Sequence, residues 1–343
     1  MKFSKKSITK AGDILKADDA EVIDYATSAA KVDTWRKLHI KPLQDLSEQL
    51  ELLFAQEKLP FAFSSNRIKR MPSIIDKLKN NAKMGLGNLN DIGGLRFVFD
   101  DMSSLLKAQQ ILNHFEPLRF ELKYQHDYIQ NVKKSGYRSI HYIYEYHTDD
   151  SDYDGLKIEL QIRTILQHSW AMAVETASMI SKVSLKADIA DGSKWREFFI
   201  LSSAIFSMKE DTPLVDEYKD LPRNVLCKKI LSYHKEYKLI DQLTAIREVT
   251  EKRPPKDDTD GFYLLTLDIT KRVVHIQPYA TDQLDDASLA FSLAEKVIKD
   301  NQNIVALLVS LSKMTELKNA YPSYYLDSEK FLKVVKDFYD KCS

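Results

Sequence analysis

The sequence contains very little cysteine, since Cys227 and Cys342 are the two cysteines among 343 residues. Two cysteines are too few, and lie too far apart in the sequence, to indicate a disulfide scaffold or a zinc knuckle. They are typical of a reducing compartment, and we expect a cytoplasmic protein. The N-terminal segment has lysines but lacks the apolar core of a secretory signal. No apolar run approaches the roughly 18 residues that can span a membrane, so we expect no membrane association.

The sequence also lacks an excess of charge of either sign. Fifty basic and fifty acidic residues give a formal net charge of zero, so bulk charge does not indicate a nucleic-acid-binding protein, although a segregated basic face could still bind one. Glycine is scarce as well. Six of the nine glycines lie between Gly85 and Gly155, which indicates where the backbone makes its tightest turns.

Hydrophobic periodicity predicts an α+β protein in three parts. Helices are predicted over 13–57, 73–80 (capped by Ser73), 102–115 and from Thr164 onward, where Thr164 and Gln167 form a capping box. Strands are predicted over 94–100, 119–129, 137–147, 156–164, 261–268, 271–279 and 303–310. This order predicts a mixed sheet flanked by helices in residues 1–185, a helical connector in 186–256, and a small α/β domain in 257–343 behind a proline-containing linker.

Two acidic residues are candidates for chemistry. Asp91 follows a glycine-containing loop and precedes Gly93-Gly94 at the entrance of a predicted strand. An acid there can hold Mg²⁺ while the flexible backbone admits a phosphate, but a loop aspartate closing an Asx-turn has the same sequence. Glu159 shares one strand face with Gln161 and Arg163. A half-buried surface strand shows the same alternation.

Basic residues flank both acids in the sequence. One cluster surrounds a single acid, Asp76, and comprises Arg67, Lys69, Arg70, Lys77, Lys79 and Lys83. Lys133 and Lys134 precede Ser135-Gly136-Tyr137. Such clusters suit triphosphate oxygens, and Tyr137 could stack on a base. A solvated helix face and a partly buried tyrosine explain the same residues.

Four segments occur together in a fixed order: RIKRMPSIIDKLKN, NDIGGLRFVF, VKKSGYRSIHYIY and KIELQIRT. They resemble the synthetase domain of the RelA/SpoT family of alarmone synthetases over roughly residues 40–185. The resemblance implies a nucleotidyltransferase-like mixed sheet. It also implies an ATP-dependent pyrophosphokinase that transfers the β,γ-pyrophosphate of ATP to a ribose 3′-hydroxyl.

The resemblance assigns expected roles to residues of this chain. Asp91 and Glu159 would bind Mg²⁺, with Glu159 also helping to activate the acceptor hydroxyl. The residues expected to hold ATP, with two arginines sandwiching adenine and the others on the phosphates, are Arg67, Arg96, Lys69, Ser73 and Lys77. The residues expected to line the acceptor side, where the tyrosine stacks on the base, are Tyr137, Lys133, Ser139, His141, Gln161 and Arg163.

Longer members of the family also carry a metal-dependent hydrolase domain with a His-Asp motif. His126-Asp127 is such a pair, but it lies in an alternating strand segment rather than in a helical domain with partner ligands. We therefore interpret it as coincidental, and we expect synthesis without hydrolysis.

The catalytic motifs do not identify the acceptor. Small alarmone synthetases modify GDP or GTP, whereas a toxic branch modifies the 3′-terminal adenosine of tRNA. The C-terminal Tyr321-Pro-Ser-Tyr324 resembles the fused toxin–antitoxin enzymes called CapRel, in which such a segment obstructs the ATP site until a phage protein is sensed. We therefore expect an autoinhibited enzyme that acts on the 3′-CCA end of tRNA, with Tyr321 and Tyr324 as regulatory residues. A (p)ppGpp synthetase and a catalytically inactive nucleotide-binding module are the alternatives.

Overall fold

The structure, a computed structural model, describes residues 3–184, 192–237, 240, 250–252, 261–298, 304–311, 320–321 and 328–342. The helices are α1 (Lys5–Lys16), α2 (Val22–Leu38), α3 (Ile40–Gln56), α4 (Met71–Asn80), α5 (Met102–Leu112), α6 (Ile165–Ser184), α7 (Gly192–Glu210), α8 (Arg223–Tyr237), α9 (Leu284–Ile298) and α10 (Glu329–Cys342). The strands are β1 (Phe63–Ile68), β2 (Gly93–Phe99), β3 (Phe120–Asp127), β4 (Ile140–Tyr146), β5 (Lys157–Thr164), β6 (Thr250–Lys252), β7 (Gly261–Asp268), β8 (Val273–Ala280) and β9 (Ile304–Leu311). The α+β fold class is therefore confirmed.

The strands form one mixed sheet in the order β3-β4-β5-β2-β1-β9-β7-β8-β6. The β2–β5 and β6–β8 pairs are parallel, and the other pairs are antiparallel. Each strand predicted from alternation is present, because β-branched and aromatic residues on a period of two pack well on a pleated surface. In β5 the alternation is visible directly: Ile158, Leu160 and Ile162 are fully buried, while Glu159 and Gln161 face the other side.

Strand β1 was not predicted, because its sequence FSSNRI is rich in residues of low strand propensity. It forms because both of its edges are paired. Asn66 pairs with Leu95 of β2 on one edge and with Ser310 of β9 on the other. The sheet is consequently continuous across the linker at 252–261, and the C-terminal strands extend the sheet that carries Asp91 and Glu159.

Helix starts follow the capping rules in one case and depart from the prediction in another. At α6, the Thr164 hydroxyl accepts from the Gln167 amide nitrogen at 3.1 Å, and the Gln167 side chain accepts from the Thr164 backbone at 3.3 Å. This reciprocal pair confirms the predicted capping box. The prediction that Ser73 caps α4 is wrong, because Pro72 suits the first turn and the helix starts at Met71 with Arg70 at the cap position.

Helix α10 packs in a second hydrophobic core, which consists largely of helices that follow β5 in the chain. Residues from α6, α7, α8 and α10, among them Trp170, Phe199, Leu226 and Phe331, form this cluster. Cys227, on α8, is disulfide-bonded, a cross-link that a count of two cysteines does not predict. Within the described part of the chain, no helix is both long and apolar enough to cross a bilayer.

Candidate active site

Asp91 lies in the loop that enters β2, between two lysines. Its Oδ2 accepts hydrogen bonds from Lys69 Nζ at 2.8 Å and from Lys77 Nζ at 2.9 Å. Lys69 follows β1 and is fixed there by a 2.8 Å backbone hydrogen bond to Ile92, while Lys77 extends from α4. The three charged groups therefore come from three different segments, and the fold of β1, α4 and β2 is what brings them together.

The two lysines keep Asp91 ionised. Burial opposes ionisation, but the ammonium groups of Lys69 and Lys77 outweigh it and lower the pKa of Asp91 to about 2. Its other oxygen, Oδ1, is buried and has no hydrogen-bond partner among the described residues. Since a buried carboxylate oxygen normally has a partner, Oδ1 is the atom of this site that is best placed to receive a ligand.

Glu159 lies on β5, opposite Gly94 of the parallel neighbour β2. His141 Nδ1 lies 3.0 Å from its Oε1, and Gln161 Nε2 donates to its Oε2 at 2.6 Å. Burial favours the neutral acid, and the nearby Asp91 acts in the same direction. The contacts with His141 and Gln161 prevail, so the pKa of Glu159 lies below its ordinary value. Both acids are thus anionic at neutral pH.

The loop between β3 and β4 places an aromatic ring against His141, the partner of Glu159. Tyr137 follows Gly136, whose φ of +85° is a conformation that favours glycine. The Tyr137 hydroxyl lies 2.9 Å from His141 Nε2, and the rings of the two residues meet edge to face. Lys133 Nζ lies 5.1 Å from the centre of the Tyr137 ring. The loop therefore joins an aromatic surface and a cation to the His141–Glu159 pair.

These residues line one cavity of about 760 Å³. Asp91, Glu159 and Lys77 contribute to its walls, together with the predicted acceptor residues Lys133, Tyr137, His141 and Gln161. Helices α6 and α7 complete it with residues that the sequence reasoning did not single out: Trp170, Val174, Ala177, Ser178, Trp195, Arg196 and Phe199. The cavity is large enough for a nucleotide-sized ligand.

Three arginines form a separate basic cluster beside this cavity, on strands β1, β2 and β5. Arg96 and Arg163 are 6% and 1% exposed. Burial, Arg163 and Arg67 together lower the pKa of Arg96 to about 9. Arg67 reaches Glu175 of α6 at 4.0 Å, whereas Arg96 forms no ion pair with any residue that the structure describes. Such a cluster favours an electron-rich or anionic partner.

Residues 320–321 cover the arginine cluster. Arg96 Nη1 donates to the Ala320 carbonyl at 3.5 Å, and the Tyr321 hydroxyl donates to the Asn66 carbonyl at 3.0 Å. Tyr321 is 2% exposed. Burial raises its pKa, while the charges of Arg96 and Arg67 act in the opposite direction. Tyr324, the second predicted regulatory residue, lies outside the described residues.

The remaining predicted residues are placed apart from the cavity. The Ser139 side chain is fully buried, and its hydroxyl donates to the Ile162 carbonyl at 3.0 Å, which is a contact within the sheet. Ser73 lies half-buried on α4, on the same helix as Lys77. Arg163 Nη2 donates to Gln161 Oε1 at 3.3 Å. The expected roles of Ser73 and Ser139 in binding remain predictions.

The His126-Asp127 pair has a structural role in the fold. Asp127 Oδ1 accepts from the backbone of Ile129 and Gln130, each at 2.9 Å, and so closes the turn after β3. His126 stacks on Tyr128. No group of three or more His, Cys, Asp or Glu side chains in the described segments could hold a metal by itself.

Residues 66–183 match the family model described as "Region found in RelA / SpoT proteins". Among curated proteins, the chain is 31% identical over 132 residues to the GTP pyrophosphokinase YwaC of Bacillus subtilis (strain 168). The match covers 37% of this chain and 61% of that protein. It is 28% identical over 138 residues to the GTP pyrophosphokinase YjbM of the same organism, with 39% of this chain and 62% of that protein covered. The chain thus spans about three fifths of the length of these relatives.

Among solved structures, small alarmone synthetase 1 from Bacillus subtilis bound to its product pppGpp matches with 21% identity and a TM-score of 0.45, covering 53% of this chain and 92% of that one. A GTP pyrophosphokinase family protein from Streptococcus pneumoniae matches with 21% identity and a TM-score of 0.41, covering 56% and 93%. The matched family region contains both acids, the arginine cluster and the loop of Tyr137. The resemblance to the RelA/SpoT family is thus confirmed for residues 66–183, the part of the chain that matches the family model.

Proposed function

We propose that the protein is an ATP-dependent pyrophosphokinase that transfers the β,γ-pyrophosphate of ATP to a ribose 3′-hydroxyl: the 3′-oxygen bonds to the β-phosphorus while the bond to the α-phosphate oxygen breaks, and AMP leaves. The observation that carries the proposal is the convergence of Asp91 and Glu159 on one cavity, with lysines on one side and the Tyr137 ring on the other. The RelA/SpoT region and the names of its curated relatives support it. Phosphoryl-type transfer needs positioning and fixed positive charge more than covalent chemistry, and the site supplies both.

Lys69 and Lys77 are the proposed ligands of the transferred phosphates. In this structure both ammonium groups bind the Asp91 carboxylate. Burial lowers the pKa of Lys69, although Asp91 opposes that effect. A triphosphate would share these cations with Asp91 and would receive positive charge where negative charge spreads in the transition state.

Mg²⁺ fits the donor set of this site. Magnesium takes oxygen ligands and usually binds one or two carboxylates together with substrate phosphates. Asp91 Oδ1 is unpartnered within the described structure, and Glu159 can still accept beyond its contacts with His141 and Gln161. Asp91 and Glu159 would hold the ion, which when bound neutralises phosphate charge. The chain's own residues orient the substrates.

Glu159 is the proposed acceptor of the proton from the 3′-hydroxyl. It is ionised, and its carboxylate is held by His141 and Gln161 in a fixed orientation. Tyr137 holds the other nitrogen of His141, so a base stacked on the Tyr137 ring would set the distance of its ribose from Glu159. Orientation of this kind is a major source of rate enhancement.

Two acceptors are proposed for this site. The curated relatives are named for GTP, which favours GDP or GTP and a (p)ppGpp product. The burial of Tyr321 against the arginine cluster favours the 3′-CCA end of tRNA, because an enzyme that blocks translation needs restraint. In the latter case the segment at Tyr321 is an intramolecular inhibitor that occupies the adenine slot, with a phage protein as activator. Either substrate belongs to the cytoplasm.

One assay tests these alternatives. The full chain and its Tyr321→Ala variant are incubated with γ-labelled ATP and Mg²⁺, together with GDP, GTP or deacylated tRNA, and the labelled acceptor is identified. Label in GDP or GTP supports the synthetase, and label in tRNA supports the toxin. No label in any acceptor with either protein would leave a nucleotide-binding module and would refute the proposed activity.

The Tyr321 substitution is preferable to truncation at residue 257. Strand β9 pairs with β1, and α10 packs in the core of α6, α7 and α8. Removing the C-terminal part would therefore expose a strand edge and apolar surface of the catalytic half. A loss of activity after truncation would then report unfolding rather than inhibition.

A further inference from the structure

Helix α7 forms one wall of the catalytic cavity, although it lies outside the matched RelA/SpoT region. Trp195, Arg196 and Phe199 line the cavity from this helix. Trp195 stacks on Phe199, with ring centres 5.9 Å apart and planes 22° apart, so its position is set by the second core. The spacing i, i+1, i+4 places the three side chains along one side of the helix.

Buried hydrogen bonds fix helix α7 to the loop between β3 and β4 that carries Tyr137. The Ser203 hydroxyl, on α7, donates to the Gly136 carbonyl at 2.5 Å. Arg138 donates to the same carbonyl at 2.9 Å, to the Pro213 carbonyl at 2.8 Å and to the Ser203 hydroxyl. A Cβ on Gly136 would lie 2.6 Å from Ser203 Cβ, so helix and loop are in close contact. Tyr137 and Trp195 are therefore held as two sides of one preformed site.

Among the described lining residues of α7, Arg196 is the one with a charged side chain. Asp91 is paired with Lys69 and Lys77, and Glu159 is hydrogen-bonded by His141 and Gln161. Arg196 is exposed, lines the cavity, and has no ion pair or hydrogen bond with any residue in the described part of the chain. An unpaired guanidinium beside an aromatic wall suits the phosphate of a nucleotide.

We propose that Arg196 binds the phosphate on the 5′ side of the acceptor ribose, with Trp195 as the apolar wall beside it. This inference rests on the proposed function and deepens it by naming a specificity residue that the family region lacks. The shared chemistry is a 5′-linked phosphate, which GDP carries as a diphosphate and an RNA 3′ end carries as a phosphodiester. Because none of the three arginines of the covered cluster lines this cavity, we expect the acceptor to bind without ATP.

Binding without ATP tests the proposal independently of catalysis. Calorimetric titration of the full chain would compare two pairs of ligands: GDP with guanosine, and a short RNA ending in CCA with adenosine. The variants are Arg196→Gln and Arg196→Lys, and the control is Arg223→Gln, an exposed arginine of α8. We expect Arg196→Gln to lower the affinity for the preferred phosphate-bearing ligand about tenfold. The affinity for the corresponding nucleoside should not change. Arg196→Lys should restore part of the loss.

The outcomes separate this proposal from the reaction itself. An equal loss for nucleoside and nucleotide, or no loss for either, overturns the role of Arg196 while the pyrophosphokinase proposal stands. Failure of the unmodified chain to bind any of the four ligands overturns both. A loss confined to GDP or to the RNA assigns the source of the phosphate. Tryptophan fluorescence that responds to the ligand, and responds less in Trp195→Phe, would add that the ligand lies at this wall.

Discussion

The two halves of the proposed catalytic cleft, named acceptor half and donor half after the ligands proposed for them, differ in how they are built and in whether they are open. The acceptor half is a cavity of about 760 Å³ lined by the loop of Tyr137, by Glu159 and by α6 and α7. The donor half contains the arginine cluster and is covered by Ala320 and Tyr321. Both halves depend on β2 and β5. Their difference therefore arises from what lies on the strands rather than from the sheet.

The two halves also differ in the charges that they bury. Asp91 and Glu159 have close polar partners, while Arg96 in the donor half is buried with a carbonyl and a tyrosine instead of a carboxylate. Burying a cation in this way is unfavourable unless a partner compensates. We therefore expect a ligand that brings an aromatic ring and phosphates to compete with Tyr321 for this cluster. The cover over the donor half can therefore be stable and still be easily displaced.

The largest expected effect removes the feature that both halves share. Asp91→Asn leaves Lys69 and Lys77 without their anion and removes a proposed Mg²⁺ ligand, so pyrophosphate transfer should fall by roughly 10³-fold or more. Glu159→Gln should cause a comparable loss. Initial rates with labelled ATP measure both. Asp18→Asn, which alters the exposed Asp18–Lys79 pair, is the control. Retention of more than a tenth of the activity in Asp91→Asn would contradict the assigned site.

The next effect breaks the asymmetry between the halves. Tyr321→Ala removes the phenol whose hydroxyl interacts electrostatically with Arg96 and Arg67 and donates to the Asn66 carbonyl, so ATP affinity should rise roughly tenfold, in the range of ordinary coupling energies. Acceptor affinity should not change. Equilibrium dialysis with labelled ATP in the absence of acceptor measures this.

The control for Tyr321→Ala is a cavity of similar size in the same core. Tyr263, on β7, is 1% exposed and belongs to the same apolar cluster as Tyr321. Tyr263→Ala should destabilise the protein by a few kcal/mol, about 3, without a selective gain in ATP binding. Equal gains in both variants would mean that general loosening, not the adenine slot, controls access.

Lowering the pH should weaken the structure at Asp91 in particular. The folded-state pKa of Asp91 is about 2, below the ordinary value of 3.8. Its contribution is therefore present above pH 4 and is lost as the pH falls toward 2. The loss should be about 2 kcal/mol in the free energy of unfolding, measured by urea titration from pH 5 to pH 2.5. Asp91→Asn should flatten this part of the profile more than Asp18→Asn, because Lys79 lowers the pKa of Asp18 at an exposed position where solvent screens the pair. Identical profiles for all three proteins would show that Asp91 is not stabilised by its lysines.

Much of the acceptor half could be predicted from the sequence, because it depends on local patterns. Alternation placed Glu159 and Gln161 on one face of β5, and the capping box of Thr164 fixed the start of α6. The cover of the donor half was suggested by resemblance alone. The contact of Arg96 with Ala320 spans 224 residues, and no local periodicity encodes it. Strand β1 was not predicted for the same reason. Its serines have low strand propensity, and its pairing with β9, which is distant in the sequence, stabilises it.

The smallest expected effect sharpens the view of the acceptor half as preformed. Ser203→Ala removes the hydroxyl that joins α7 to Gly136 but leaves Arg138 its two carbonyl partners. The loss should be about 1 kcal/mol, seen as a rise of a few-fold in KM for the acceptor with KM for ATP unchanged. Ser202→Ala is the matched control, because the Ser202 hydroxyl bonds only to the Phe198 carbonyl of its own helix among the described contacts. If both variants raise KM equally, α7 acts through general stability. If only Ser203→Ala raises KM, helix α7 contributes to acceptor binding through its contact with the loop of Tyr137.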